Sequence, residues 1–371
     1  MSLGKVQSLV VLNLSNNNLT GKVPPSLGDC SSLEVLDLGS NNFFGIVPVS
    51  LGTLPLSFRN LSNLETIDIG NNGFSGSIPP WLTDGFAHLR ILRLRSNAFS
   101  GGLPHELSKL NALQVLDLAR NNLDGNIIPP SLGHLKAIVD ERKKNKYLRY
   151  GGFEDVYKVY YEESLVVTTK GQSLVYTKTL SFVTSIDLSD NNFTGNLPKE
   201  ITKLSGLVVL NLSRNHITGQ IPEGMSNLHQ LSSLDLSHNQ LSGMIPSSLA
   251  SLSFLGYLDL SNHNFSGVIP YTGHMTTFDE SCYVGNPGLC GPPLLVKCPN
   301  DVYPSHDHNK GQNNEDANDD RLIDKWFYLS LGLGFAAGIL IPYLIFSIKR
   351  SWGGVYFAIV DQVVYKILRL W

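Results

Sequence analysis

A strict 24-residue period governs this chain and leaves few folds open to it. Leu207, Leu210, Leu212, Asn215, Ile217, Gly219, Ile221 and Pro222 recur as Leu231, Leu234, Leu236, Asn239, Leu241, Gly243, Ile245 and Pro246. A unit this small cannot bury its own leucines, so neighbouring units must stack into a solenoid with one continuous core. Within each unit the x-L-x-L-x stretch alternates as a strand does. Its leucines point inward, and the residues between them line a concave parallel sheet. The asparagines that follow each strand, Asn17, Asn41, Asn72, Asn97, Asn121, Asn191, Asn215 and Asn239, can satisfy turn backbone groups that would otherwise be buried unpaired. The glycine thirteenth in each unit allows a tight turn, and the Ile-Pro pair suits an extended segment.

Nine units can be placed, starting at Leu9, Leu33, Leu64, Leu89, Leu113, Val183, Leu207, Leu231 and Leu255. Two breaks interrupt them. Between Leu33 and Leu64, "PVSLGTL" and "PLSFRNL" read as two copies of one repeat tail, which suggests an internal deletion. Leu113 and Val183 stand 70 residues apart, 46 more than one period, and the excess carries no leucine ladder. The spacing predicts repeats over 1–135, an inserted island over 136–182, four further repeats over 183–272 and a C-terminal cap over 273–300.

The balance of 28 Lys and Arg against 31 Asp and Glu, net charge -3, argues against nucleic acid as a partner. Six glycosylation sequons, at Asn13, Asn18, Asn60, Asn192, Asn211 and Asn264, fit passage through the secretory pathway. Asn13 and Asn211 fall on the concave face, where a glycan would obstruct binding. Residues 326–348 are almost wholly apolar and long enough to cross a bilayer as one helix. An acidic linker over 301–325 precedes them, and Lys349, Arg350, Lys366 and Arg369 follow. That asymmetry places the repeats outside the cell and a short tail, 349–371, inside. Gly334 and Gly338 form a GxxxG pattern that lets two membrane helices approach closely. The tail has an amphipathic pattern that would suit the inner leaflet.

Of the four cysteines, Cys30 lies mid-repeat, while Cys282, Cys290 and Cys298 cluster after the last unit. A solenoid must close its apolar end there, so a Cys290–Cys298 disulfide is the expected staple, with Cys282 either unpaired or competing.

These features together resemble the plant leucine-rich repeat receptor-like proteins, the kinase-less relatives of plant leucine-rich repeat receptor kinases. The resemblance rests on NxLxGxIP in nearly every unit, on an island followed by four repeats, on the cap "GNPGLCGPPLLVKC", and on an acidic stretch, a GxxxG span and a short tail. The island closes with "YEESLVVTTKGQSLVYTKTLSFVTSIDLS", which looks like the family's island signature through Tyr161, Lys170 and Gly171. The implied fold is an α/β-type repeat solenoid: a plant-type leucine-rich repeat superhelix with a concave parallel β-sheet, an inserted island and one C-terminal transmembrane helix. The implied function is a single-pass plasma-membrane receptor for an extracellular peptide or protein, often from a microbe, with defence the commoner role. Related members serve development. The resemblance further implies an adaptor receptor-like kinase that meets the span and its acidic flank, and a recruited co-receptor kinase. The chain departs from the family at His263, which replaces a ladder asparagine, and at Cys282. It also starts within a repeat tail at Met1, without a signal peptide, so it reads as a truncated copy whose first leucines are exposed and whose export is in question, or as a non-functional remnant. An interaction protein that inhibits extracellular enzymes is the reading from another class.

The ligand-binding candidates are Tyr161, Lys170 and Gly171 in the island and Arg90, Arg93 and Arg95 on the fourth strand. The arginines could grip an acidic ligand, but Glu65, Asp68 and Asp117 flank them, and lateral ion pairs are the preferred reading, worth little if exposed. Island tyrosines such as Tyr147, Tyr150 and Tyr161 suit recognition and equally suit packing of the island on the solenoid's flank. Asp235, Ser237 and His238 hold the groups of a catalytic relay, but adjacent strand positions cannot align them. No catalytic residue, cofactor or metal is expected.

Overall fold

A computed structural model of the chain describes residues 5–45, 60–125, 128–139, 149–150 and 161–298, all within one compact unit, Met1–Asp301. The span with Gly334 and Gly338, its acidic flank and the tail lie outside the described residues. Among the described residues, no helix is long and apolar enough to cross a membrane.

Nine parallel strands form the concave sheet in sequence order: Val11–Asn13, Val35–Asp37, Thr66–Asp68, Ile91–Arg93, Val115–Asp117, Ser185–Asp187, Val209–Asn211, Ser233–Asp235 and Tyr257–Asp259. Every strand is three residues long, because only the x-L-x core of the motif alternates before the ladder asparagine ends it. The central residues Leu36, Ile67, Leu92, Leu116, Ile186, Leu210, Leu234 and Leu258 stack into one buried column. Truncating a leucine there costs about 2–5 kcal/mol. Leu9, Leu12 and Leu14 of the first unit are half-buried against the same core.

Both breaks in the period leave the sheet intact. Val35 pairs with Thr66, so the second and third strands are direct neighbours, with the irregular stretch between them outside the described residues. Val115 pairs with Ser185, so the island leaves and re-enters between adjacent coils.

The asparagine ladder works as its chemistry demands. Asn215 Nδ2 donates to the carbonyls of Leu188, Leu212 and Ser213 at 3.0–3.1 Å, while its Oδ1 accepts from the Phe193 amide at 3.1 Å. One side chain thereby closes its own turn and stitches it to the preceding coil. Below the ladder, the NxLxG segments pair laterally into a six-stranded and a four-stranded sheet. The prolines of the Ile-Pro pairs are extended, with Pro222 at φ -62 and ψ 134, and each is followed by a short 3-10 helix such as Glu223–Asn227. The convex side therefore holds mostly 3-10 turns, with α-helix confined to Trp81–Gly85 and Lys136–Val139 among the described residues.

The cap contains a further coil. Gly288–Cys290 extends the lateral sheet beside Asn264–Val268, and Asn286 makes the ladder bonds of a tenth unit, accepting from the Phe265 amide and donating to Leu260 and Tyr283. Buried Met275, Tyr283 and Leu289 close the core. Cys290 and Cys298 form a disulfide, and Cys282 is a half-buried free thiol.

Candidate functional site

The island packs across the concave face of the sheet rather than on the solenoid's flank. Its centrepiece is a hairpin, Leu165–Thr169 with Gln172–Tyr176, paired antiparallel through Leu165↔Tyr176 to Thr169↔Gln172. Period-two alternation places Glu163, Leu165, Val167 and Thr169 on one face, and all four are buried. Leu165 and Val167 form a second apolar cluster with Val35, Ile91 and Val115 of the sheet, with Tyr150 and Leu180 of the island, and with Val183 at the start of the next repeat. The β-branched residues between the ladder leucines thus have a partner: the chain's own insert.

Lys170 and Gly171 are the two-residue turn of this hairpin, at φ 52 and φ 68. Positive φ at both central positions matches the right-handed twist of the paired strands. The Lys170 amide donates to the Ser233 hydroxyl at 3.0 Å, and its side-chain stem crosses Gly256. At the other end, the Tyr161 hydroxyl accepts from Asn13 Nδ2 at 3.0 Å and donates to Glu163 Oε1 at 3.3 Å. The Tyr150 hydroxyl donates to Glu65 at 3.3 Å. The island therefore reaches from the first strand to the ninth. Burial, then the Glu163 and Asp37 charges, hold the Tyr161 hydroxyl far above the usual tyrosine range.

The arginines are committed to a lateral network. Arg93 bridges Asp68 at 2.8 Å and Asp117 at 3.3 Å, and Arg95 bridges Asp117 at 3.2 Å and Asp187 at 2.9 Å. Arg90 lies 3.6 Å from Glu65 and donates to Gln114 at 3.1 Å. The side chains of the Arg93 and Arg95 pairs are only 4–14% exposed, so the lateral ion pairs expected from the flanking carboxylates are buried ones. The hairpin covers Asp117 and Asp187, and three carboxylates share two guanidinium groups. Burial, reinforced by Asp187, raises the Asp117 carboxyl against the pull of both arginines.

What stays open is the island's outer face, where Val166 and Val175 are exposed, and the C-terminal end of the sheet. There a cleft of about 270 Å³ is lined by Tyr257, Asp259, Phe278, Asp279, Ser281 and Cys282. Burial, with Asp279 and Asp259 adding to it, pushes the Cys282 thiol up to about 11, which keeps it a poor nucleophile. Nearby, Ser237 donates its hydroxyl to Asp235 at 2.7 Å, and His238 contacts Asn262 at 3.3 Å, an arrangement that links no serine to a histidine base.

The sequons separate by geometry. Asn18, Asn60, Asn192 and Asn264 are exposed. Asn211 is buried, with its Oδ1 accepting from the Ser213 amide and hydroxyl. Asn13 is held by Tyr161. Glu163, Ser233 and Asn286 join the site without a motif of their own. Alternation with Leu165 and Val167 marks Glu163, and spacing from Asn239 and His263 marks Asn286. Nothing local marks Ser233.

A parallel sheet of three-residue strands, an asparagine ladder and a lateral second sheet define a leucine-rich repeat solenoid. Leucine-rich repeat family models match residues 7–48, 63–84, 88–110, 112–135 and 181–241. Receptor-like protein 53 of Arabidopsis thaliana is 40% identical over 358 residues, covering 94% of this chain and 35% of that protein. Receptor-like protein EIX2 of Solanum lycopersicum is 44% identical over 290 residues, covering 76% of this chain and 28% of that protein. The leucine-rich repeat ectodomain of the plant membrane receptor kinase GASSHO1/SCHENGEN3 from Arabidopsis thaliana, solved with CASPARIAN STRIP INTEGRITY FACTOR 2, superposes with a TM-score of 0.58 at 32% identity. That match covers 80% of this chain and 32% of that one. The chain belongs to the plant leucine-rich repeat receptor-like proteins. It spans about a third or less of the length of the curated relatives it matches.

Proposed function

We propose that this chain is part of a non-kinase cell-surface receptor whose solenoid and island recognise an extracellular peptide or protein. The observation that carries the reading is the island's position. A solenoid that only scaffolds has no use for an insert laid across its concave sheet from Asn13 to Ser233, tied by side-chain bonds at both ends. With the inner strands covered, the surface offered to a ligand is the island's outer face and the acidic cleft around Tyr257 and Asp259. The similarity to a receptor kinase ectodomain solved with its bound factor supports ligand recognition as the class of activity. The chain has no catalytic role in this reading.

The signal leaves through partners. Residues 326–348 span the plasma membrane once, with the repeats outside, and Gly334 and Gly338 pack against the helix of an adaptor receptor-like kinase while a co-receptor kinase is recruited outside. Defence is the role proposed, by likeness to the receptor-like proteins. Co-precipitation from plant membranes tests this. Wild type brings down a receptor kinase, and Gly334→Leu with Gly338→Leu reduces the yield severalfold. Failure of wild type to capture any receptor kinase overturns the signalling reading.

A further inference from the structure

One group beneath the island is left in an unstable electrostatic position. Glu163 is 3% exposed, and among the described residues its Oε2 has no hydrogen-bond partner, while Oε1 accepts from Tyr161. The groups that face it come from each packed element. Asp37 stands on the second strand, Thr66 and Asp68 on the third, and Tyr161 on its own segment. Tyr150 lies alongside, with Glu65 and Arg90 around its hydroxyl. Of these, Asp68 is paired with Arg93 at 2.8 Å, and Arg93 is shared with Asp117. Among the described residues no cation forms an ion pair with Glu163, and Arg93 only partly offsets the charge of Asp37. An ionised Glu163 is therefore desolvated, half-satisfied and repelled by two neighbouring carboxylates.

We propose that Glu163 is the proton-sensitive clasp of the island: protonated, it seats the hairpin on the concave sheet, and ionised, it drives that segment off and uncovers the strands beneath. The apolar contacts of Leu165 and Val167 are the same in both protonation states, so the carboxyl decides the balance. Burial, reinforced by Asp37 and Asp68, pushes Glu163 up to about 7 against the pull of the Thr66 and Tyr161 hydroxyls. The seated island holds a proton that the released one gives up between the ordinary value of 4.5 and about 7. Seating is accordingly full at acidic pH and weakens as pH rises through neutrality. Release would free Asn13 from Tyr161 and open Asp37 and buried Thr66 to solvent, so the proton state of one side chain selects which face of the receptor a ligand meets. The clasp is a property of the chain's own packing and stands whether or not the receptor reading does.

Hydrogen exchange on the detergent-solubilised full chain tests it, with amides of Leu165–Tyr176 compared between wild type and Glu163→Gln at each pH so that intrinsic exchange cancels. The two exchange alike at about pH 4, and wild type exchanges at least about tenfold faster at about pH 8. Leu210 and Leu234 of the core stay protected in both. A ratio that does not change with pH overturns the clasp. Asp37→Asn serves as the second variant, because it removes one repelling carboxylate without touching the hairpin. It slows wild-type-like release at about pH 8, and an unchanged rate would count against the proposal equally.

Discussion

Gly171 approaches the Tyr257 ring so closely that a Cβ at this position would lie 2.9 Å from Cε2. The contact joins the tip of the island hairpin to the last concave strand, and Gly171 also needs its φ of 68. Only glycine meets both demands. Gly171→Ala is expected to lift the hairpin tip at a cost of about 1–3 kcal/mol, seen as faster exchange at Lys170–Tyr176 with little change in the melting temperature of the solenoid. A unified loss of the whole fold would show that island and coils are not separable in energy.

His263 breaks the ladder at the ninth unit. Its Nδ1 accepts from the Leu241 amide at 3.3 Å, but Nε2 is buried without a partner, where an asparagine would supply an NH2 group to neighbouring carbonyls. His263→Asn should stabilise the chain by about 1 kcal/mol in denaturant unfolding at neutral pH.

The same residue makes the ninth unit acid-sensitive. Burial lowers the His263 imidazole from 6.5 to about 4. The folded state therefore binds fewer protons than the unfolded one across that window, and stability is lost as pH falls from 6.5 towards 4. His263→Asn should flatten that part of the profile, opposite in sign to Glu163, whose contribution is lost as pH rises. Identical acid profiles for variant and wild type would contradict this.

The guanidinium of Arg95 lies between Asp117 and Asp187, both buried. Arg95→Ala leaves buried carboxylates short of a cation and is expected to cost about 3–5 kcal/mol in denaturant unfolding near neutral pH. The defect should shrink as the pH is lowered, because protonation relieves the uncompensated charge. A ligand-grip role alone would leave stability untouched.

Glycopeptide mass spectrometry of the secreted-route protein should find glycan at Asn18, Asn60, Asn192 and Asn264. Asn211 should be bare, since its side chain is buried under Ser213. Asn13 should be bare where the island is seated, and its occupancy would report a chain glycosylated before the island closed.

The repeat was legible because every leucine, asparagine and glycine answers to a local rule that recurs at fixed spacing. Leu210 and Asn215 need nothing beyond their own coil and its neighbour. The island was legible only as an interruption. Its Leu165 and Val167 show the alternation of a buried strand, yet nothing in the spacing says which surface buries them. Arg93 and Arg95 announced their charge, but their burial depends on a hairpin that crosses the sheet about 70 positions away in sequence. The Lys170 contact with Ser233 spans two elements that share no pattern. Local periodicity sets the coil; the long-range placement that builds the site is set by what covers it.

Whether the island lies seated on the concave sheet is decided by an experimentally phased map of the ectodomain at acidic pH. The expected map has the Lys170 amide within hydrogen-bond distance of the Ser233 hydroxyl and Tyr161 between Asn13 and Glu163. A map with the hairpin turned away and Val35, Ile91 and Val115 open to solvent would contradict it.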